Sequence, residues 1–417
     1  MASIWALRVT RPQRTFAPVA TMPAMPLRVL LTNHRMAGRG GTQLWIRDVA
    51  PALAARGLRP VVWSPQLGEC AEEVRALGIP VVDDLAAVAE RPDLIHGHHL
   101  LETAAALAHF PGVPALFVRH GLLPWQERPP GLSRIRRFLA VDRLRRERLI
   151  AEGIDPARIE VLPNFVDPRR LPEPARRGDR PRRALLYSNR SAAPGLLPAL
   201  EAACRTAGLP GPAVVGVAAG NAIADPGPLL ARFDVVFATG RAALEAMATG
   251  AAVVLLDAGG SGPLVTGERF DELAELNFGL GALRSPHDAA AIGAALAGYD
   301  ADEALAVAGR VRERCTLART VERLVTIYRE VLDEPTGASE TEEPALPPAE
   351  GRALARLLTE LSRAGEAGSD PRVGELEAEL AALRGTAAFR LREWILRSPL
   401  RRALAQSTRR AWSRSPR

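Results

Sequence analysis

Three histidines, His96, His98 and His99, close the run Asp93-Leu94-Ile95-His96-Gly97-His98-His99, and His120 closes Val118-Arg119-His120. An imidazole titrates near neutrality, so at the end of a strand it can act as a base or bind a sugar hydroxyl or a phosphate. The plainer alternative is a histidine bonded to backbone there. His96 and His98 also have a spacing open to a metal, but no carboxylate is suitably placed with them, and no metal site is expected. Upstream, Gly38, Arg39, Gly40, Gly41 and Thr42 form a loop ahead of a helical pattern. Bare backbone N–H groups and the helix dipole can meet an anion there, which makes Gly40, Gly41 and His98 candidates for a phosphate or acceptor loop; a tight turn needing glycine is the alternative. The loop is neither GxGxxG nor a P-loop, so it predicts no dinucleotide or ATP site of those kinds.

A second group lies in the other half of the chain. Arg190 directly follows the strand expected over 184–187, either turned toward a cleft or as one more surface Arg. In Phe237-Ala238-Thr239-Gly240-Arg241-Ala242-Ala243-Leu244-Glu245, a strand ends and a glycine turn opens a helix, with Arg241 at its start and Glu245 one turn on. Such a helix start holds phosphate, and a carboxylate one turn in can hold ribose hydroxyls. Asp257, Gly259 and Gly260 follow the next strand.

These residues need elements to position them. Short apolar runs over 27–32, 60–64, 80–83, 93–96, 115–118, 138–141 and 159–162 alternate with helical patterns over 42–56, 69–77, 100–109 and 143–152. Strands that are apolar throughout, separated by helices, predict a parallel sheet covered on both faces. A Pro- and Arg-rich stretch without periodicity then opens a second α/β series, with strands over 184–187, 213–217, 235–237 and 253–256. Its helices are expected over 195–207, 227–232, 241–249, 288–297 and 302–332. The domain reading is an N-terminal extension at 1–26, a first domain at 27–167, a linker at 168–182 and a second domain at 183–332. A flexible spacer at 333–374 and a basic amphipathic tail at 375–417 complete it.

Composition narrows the function. The chain has 417 residues, 47% hydrophobic and 24% charged, with no apolar run near the roughly 20 residues that a bilayer span requires. Its three widely spaced cysteines predict neither a disulfide framework nor a zinc site, which suits a reducing cytoplasm. All 54 basic side chains are Arg. Residues 384–417 hold ten Arg and one Glu, an excess larger than the net +7 of the whole chain, so the body is near neutral and no nucleic-acid footprint is expected. Interleaved with Phe389, Leu391, Trp394, Ile395 and Leu396, that Arg excess describes a segment able to lie on an anionic membrane surface. A solvated basic helix or a coiled-coil end is the alternative. The expected location is cytoplasmic, peripheral at the inner face of the plasma membrane.

Four motifs in order carry a resemblance. Gly40-Gly41, His120-Gly121, the run from Arg158 through Asn164 and Asp167, and Leu244-Glu245-Ala246-Met247-Ala248-Thr249-Gly250 together resemble family-4 retaining glycosyltransferases of GT-B fold, over about 27–332. The resemblance implies two facing Rossmann-like domains with parallel sheets, a nucleotide-sugar donor in the second, a glycan or lipid-linked acceptor in the first, and no cofactor or obligatory metal. It implies Glu245 at the donor ribose, Arg190 at the diphosphate, and His120 as the catalytic histidine near donor sugar and acceptor. Gly240, Arg241, Gly259 and Gly260 complete the expected donor site, with Arg241 standing in for a lost cation. Asn164 and Asp167 take structural roles at the domain junction. The chain departs from the family at Phe237, where a Glu is usual, and at Gly195, where a Lys is usual. A catalytically silent GT-B scaffold and a sugar-nucleotide epimerase are the alternatives.

Overall fold

The computed structural model describes residues 26–121, 125–335 and 347–364. The first domain is built on β1 (Arg28–Thr32), β2 (Arg59–Trp63), β3 (Val81–Val82), β4 (Leu94–His98), β5 (Ala115–Arg119), β6 (Ile135–Ala140) and β7 (Ile159–Val161). They form one seven-stranded sheet in the order β3-β2-β1-β4-β5-β6-β7, and every pairing is parallel. The strands are apolar because helices cover both faces: β5 is buried at all five positions. The helices are α1 (Gly41–Ala54), α2 (Glu69–Ala76), α3 (Leu100–His109) and α4 (Arg143–Ala151). The side chain of Asp142 caps α4 by accepting from the Arg145 N–H at 2.8 Å.

The second domain holds a five-stranded sheet in the order β12-β11-β10-β8-β9. Its strands are β8 (Ala184–Tyr187), β9 (Ala213–Val215), β10 (Val235–Ala238), β11 (Ala252–Asp257) and β12 (Gly260–Leu264), and its helices are α5 (Leu196–Thr206), α6 (Gly227–Leu230), α7 (Gly240–Met247), α8 (Phe270–Glu275), α9 (Ala289–Ala297) and α10 (Ala301–Arg314). β12 runs antiparallel to β11, a departure from the all-parallel expectation. Residues 258 and 259 are the turn of that hairpin, and Gly260 opens its second strand.

Two other readings change. The helical stretch expected over 302–332 breaks at Cys315, and α11 (Leu317–Asp333) leaves the second domain. Val166 donates to the Cys315 carbonyl at 2.9 Å and Leu317 donates to the Val166 carbonyl at 2.8 Å, so the chain crosses back at this point. Leu317, Val321, Leu324, Ile327, Tyr328 and Val331 then pack with Ile46, Val49 and Phe165 in the first domain's core. The spacer expected at 333–374 contains a docked helix, α12 (Pro348–Ala364). Its Leu354, Ala355 and Leu358 are buried with α3 and the sheet. The reason is compositional: α3 is apolar and Ala-rich all round, so it needs a partner on the side away from the sheet. The extension at 1–25 and the tail beyond 364 lie outside the described residues, and none of the described helices is long and apolar enough to cross a membrane.

Candidate functional site at the cleft between the domains

The first-domain wall is a histidine cluster at the C-terminal ends of β4 and β5. His96 and His98 are fully buried on alternate residues of β4. The tyrosine hydroxyl of Tyr328 on α11 sits 2.6 Å from His96 Nδ1. His98 Nδ1 lies 2.8 Å from His120 Nε2, with the ring planes 14° apart and the centroids 4.9 Å apart. Near-parallel planes with that N···N contact mean that the two rings meet edge to edge, with one proton between them. Trp45 of α1 closes the group, its ring 5.0 Å from that of His98 and 6.0 Å from that of His120. Burial pushes the His96 ring down to about 3 and the His120 ring down to about 4; in His120 burial outweighs the opposing pull of Glu127. These imidazoles are therefore neutral at pH 7. His96 and His98 lie parallel, 4.8 Å apart, so their lone pairs do not converge. Among the described residues no group of His, Cys, Asp and Glu is arranged to hold a metal ion.

Backbone anchors hold His120 in place. Its N–H donates to Glu127 Oε2 at 2.9 Å and its carbonyl accepts from Arg145 Nε at 3.1 Å. A Cβ on Gly121 would sit 2.8 Å from Glu127 Cγ, so only glycine lets that carboxylate fold under the turn. Beside it, His99 takes φ of 66°, an uncommon conformation for a non-glycine residue. His99 Nδ1 accepts from the His34 N–H at 3.2 Å. His34 in turn contacts Glu102 Oε1 and Ser362 Oγ, each at 3.0 Å, and Ser362 also donates to Glu102. Ser362 belongs to α12, which thereby reaches the rim of the cleft. The glycine loop leads into α1: a Cβ on Gly40 would meet only the flexible end of Gln43, and the space before Gly41 is open.

The second-domain wall rises from the start of α7. Gly240 has φ of 58°, which favours glycine, and its N–H donates to the Phe278 carbonyl at 2.7 Å. The position of its absent Cβ is 3.9 Å from the Asn164 amide of the first domain. Asn164 also joins the domains by donating its backbone N–H to Asn277 Oδ1 at 3.0 Å. Asp167 works locally, accepting from the N–H and guanidinium of Arg169. Arg241 donates from Nε to Glu245 Oε1 at 2.9 Å and is ion-paired through Nη2 with Asp48, on α1 of the opposite domain. Asp48 Oδ1 also accepts from Arg47 Nε and from Arg170 Nη1, each at 2.9 Å. Burial raises the Asp48 pKa, but Arg241 and Arg47 overcome it and hold the carboxyl below its usual range. Tyr187 completes the group with its hydroxyl 3.5 Å from Glu245 Oε2. The cation expected to replace a diphosphate clamp therefore bridges two carboxylates, one from each domain.

Arg190 lies half-exposed just beyond β8 and pairs with Asp257 at the end of β11. Asp257 also accepts from Ser188 Oγ at 2.8 Å and Thr239 Oγ1 at 3.1 Å, so one carboxylate gathers the ends of three strands. Phe237 is wholly buried in the core between the sheet and α5. It lies inside β10 and takes no part in the cleft, so the Glu usual in the family has no counterpart there. A Cβ on Gly260 would fall 2.3 Å from the Ser285 carbonyl, and one on Gly259 3.0 Å from Leu280. Both glycines thus have a packing reason in the β11–β12 hairpin that is independent of any donor. Gly195 caps the start of α5 with φ of 79°. Asp48, Trp45, Glu127, Tyr187 and Tyr328 were not legible as site residues, since each sits singly within an ordinary helix, strand or loop pattern. An apolar cavity of about 390 Å³ lies at the opposite edge of the first sheet, around Val29, Leu58, Ile79 and Val88, away from these groups.

Two facing α/β domains, closed by a returning C-terminal helix and joined across a polar cleft, define a protein of GT-B fold. Residues 39–170 match the profile of Glycosyltransferase Family 4. A glycosyltransferase from Rickettsia africae ESF-5 superposes with a TM-score of 0.55 at 15% identity, over 74% of this chain and 100% of that one. HepE from Anabaena in complex with UDP-glucose gives 0.54 at 15% identity over 73% and 100%. Sucrose-phosphate synthase from Thermosynechococcus elongatus gives 0.50 at 15% identity over 73% and 99%. No curated protein matches the chain.

Proposed function

We propose that this chain is a glycosyltransferase that moves a hexose-like sugar from a nucleoside-diphosphate sugar to a polysaccharide, lipid-linked or other envelope glycan acceptor, with retention and without an obligatory metal. The observation that carries the reading is the placement of Glu245. It stands one turn into a helix whose Arg241 pairs across the cleft with Asp48 of the first domain, with the hydroxyl of Tyr187 and the guanidinium of Arg241 beside it. A carboxylate there accepts two ribose hydroxyls, the start of α7 and Arg190 meet the diphosphate, and His120 stands across the cleft by the sugar. Gly259 and Gly260 border the donor and Gly40 and Gly41 the acceptor, while His98, expected beside the acceptor, is fully buried behind His120 and touches no substrate. The nucleotide sugar is a substrate and no cofactor is needed. The Arg-rich segment 384–417 holds the enzyme on an anionic membrane at the inner face of the plasma membrane, within reach of lipid-linked acceptors.

Since HepE was solved with UDP-glucose and with UDP, uridine nucleotides head the panel for calorimetric binding. One nucleotide sugar is expected to bind, and Glu245→Ala to weaken it by about 10- to 100-fold, the equivalent of about 1.5–3 kcal/mol for hydrogen bonds to a charged group. A second reading, a catalytically silent GT-B scaffold, is favoured by one feature: Arg241 already occupies Glu245 and Asp48. If no nucleotide binds, that scaffold replaces the transferase.

A further inference from the structure

His98 and His120 share one proton along a 2.8 Å contact, and the remaining nitrogen of His98 decides which ring owns it. His98 Nε2 is buried with no hydrogen-bond partner. If His120 donated, His98 would carry its own proton at Nε2, leaving a buried N–H without an acceptor. If His98 donates from Nδ1, Nε2 holds only a bare lone pair. Orphaned buried N–H groups are rarer and costlier than under-used acceptors. His98 is held to this geometry from several sides: its backbone N–H donates to Thr32 Oγ1 at 3.0 Å, its carbonyl accepts from the same hydroxyl at 3.1 Å, and Trp45 packs against the ring.

We infer that His98 is a positioning residue for His120: it donates its Nδ1 proton to His120 Nε2 and fixes His120 as the Nδ1–H tautomer. His120 then acts as a neutral hydrogen-bond donor toward a sugar or phosphate oxygen and not as a base. The role toward substrate rests on the glycosyltransferase reading above; the tautomer does not. Because His98 Nε2 is buried and meets no donor or acceptor side chain, the assignment is a property of the ground state and is visible without substrate.

The test is a long-range proton–nitrogen correlation spectrum of the histidine-labelled full chain at pH 7, with His120→Gln used to assign the His120 signals. Wild type is expected to show a protonated Nδ1 and a bare Nε2 at His120. His98→Phe should release His120 toward the Nε2–H form that free imidazole favours and lower kcat about 10- to 100-fold with little change in donor KM. His98→Asn, whose amide again offers an N–H, should restore the tautomer and most of the rate. A wild-type spectrum with the proton on His120 Nε2 overturns the inference whatever the kinetics, and so does an unchanged His120 signal in a folded His98→Phe. Should the spectra come out as expected while no sugar nucleotide binds or turns over, the tautomer lock stands and the glycosyltransferase reading fails.

Discussion

Asp48 carries more of this cleft than its setting in a helix suggests. Its side chain is 2% exposed and meets Arg47, Arg170 and Arg241. Asp48→Asn removes the one charge that balances Arg241 from the first domain. Breaking a buried pair from one side is strongly destabilising, so a loss of about 3 kcal/mol is expected in urea unfolding at pH 7. Because the folded carboxyl has a lowered pKa, its stabilisation is complete above the unfolded value of about 3.9 and disappears as pH falls through the folded one. The gap between wild type and Asp48→Asn should therefore narrow below about pH 4, and a gap independent of pH would show that the charge is not the cause. The histidines set a second dependence, at higher pH. His96 and His120 stay neutral in the folded protein down to about 3 and about 4, whereas the unfolded chain takes up their protons below about 6.5. Stability should fall as pH drops from about 6.5 toward 4, by about 1.4 kcal/mol per pH unit for each such group. His120→Gln removes one proton from that slope, measurable as a shallower fall between about pH 6 and pH 5; equal slopes would contradict the neutral ring.

At the scale of elements, α12 is the one whose role the patterning least disclosed. It sits on α3 through Leu354, Ala355 and Leu358, and its Ser362 reaches His34 and Glu102 at the cleft rim. Leu354 is 1% exposed, so Leu354→Ala should cost about 2–5 kcal/mol in chemical denaturation. A cost under about 1 kcal/mol would mean that α12 does not stay docked in solution. The core elements were legible for a simple reason: β1, β5, β8 and β10 are apolar in the way that burial on both faces demands, and the helices between them carry an apolar face. α3 at Leu100–His109 and β8 at Ala184–Tyr187 fall on their expected residues. β12 was not legible, because a Gly-Ser-Gly-Pro-Leu run lacks strand propensity and becomes a strand only by pairing with β11.

For the whole molecule, α11 and the Asp48–Arg241 pair tie the domains together, and the two walls face each other across that tie. The body carries little net charge, so the membrane attachment proposed above rests on the C-terminal segment, whose Arg excess lies beyond the described residues. With about 1 kcal/mol per basic side chain near an anionic surface, the full chain should co-sediment with phosphatidylserine vesicles and not with neutral ones. Rising salt should weaken that binding within the screening range, and truncation after residue 364 should abolish it. Binding that survives the truncation would place the membrane-seeking surface elsewhere.

The sequence by itself determined the two α/β halves, the parallel core strands, and the positions of His120, Arg190 and Arg241 near element ends and of Glu245 one turn into a helix. Those follow from local rules: apolar runs must be buried, glycine opens a helix, and open parallel sheets build sites at the C-terminal ends of strands. Only the tertiary structure decided what those residues touch. Whether Arg241 faces a phosphate or a carboxylate depends on Asp48, which lies 193 positions away in sequence and one domain away in space. Whether His120 is a base or a donor depends on a ring 22 positions earlier, brought into line by the pairing of β4 with β5. Phe237 falls in the core because the pleat of β10 turns it there, and no spacing rule measures that against a family motif.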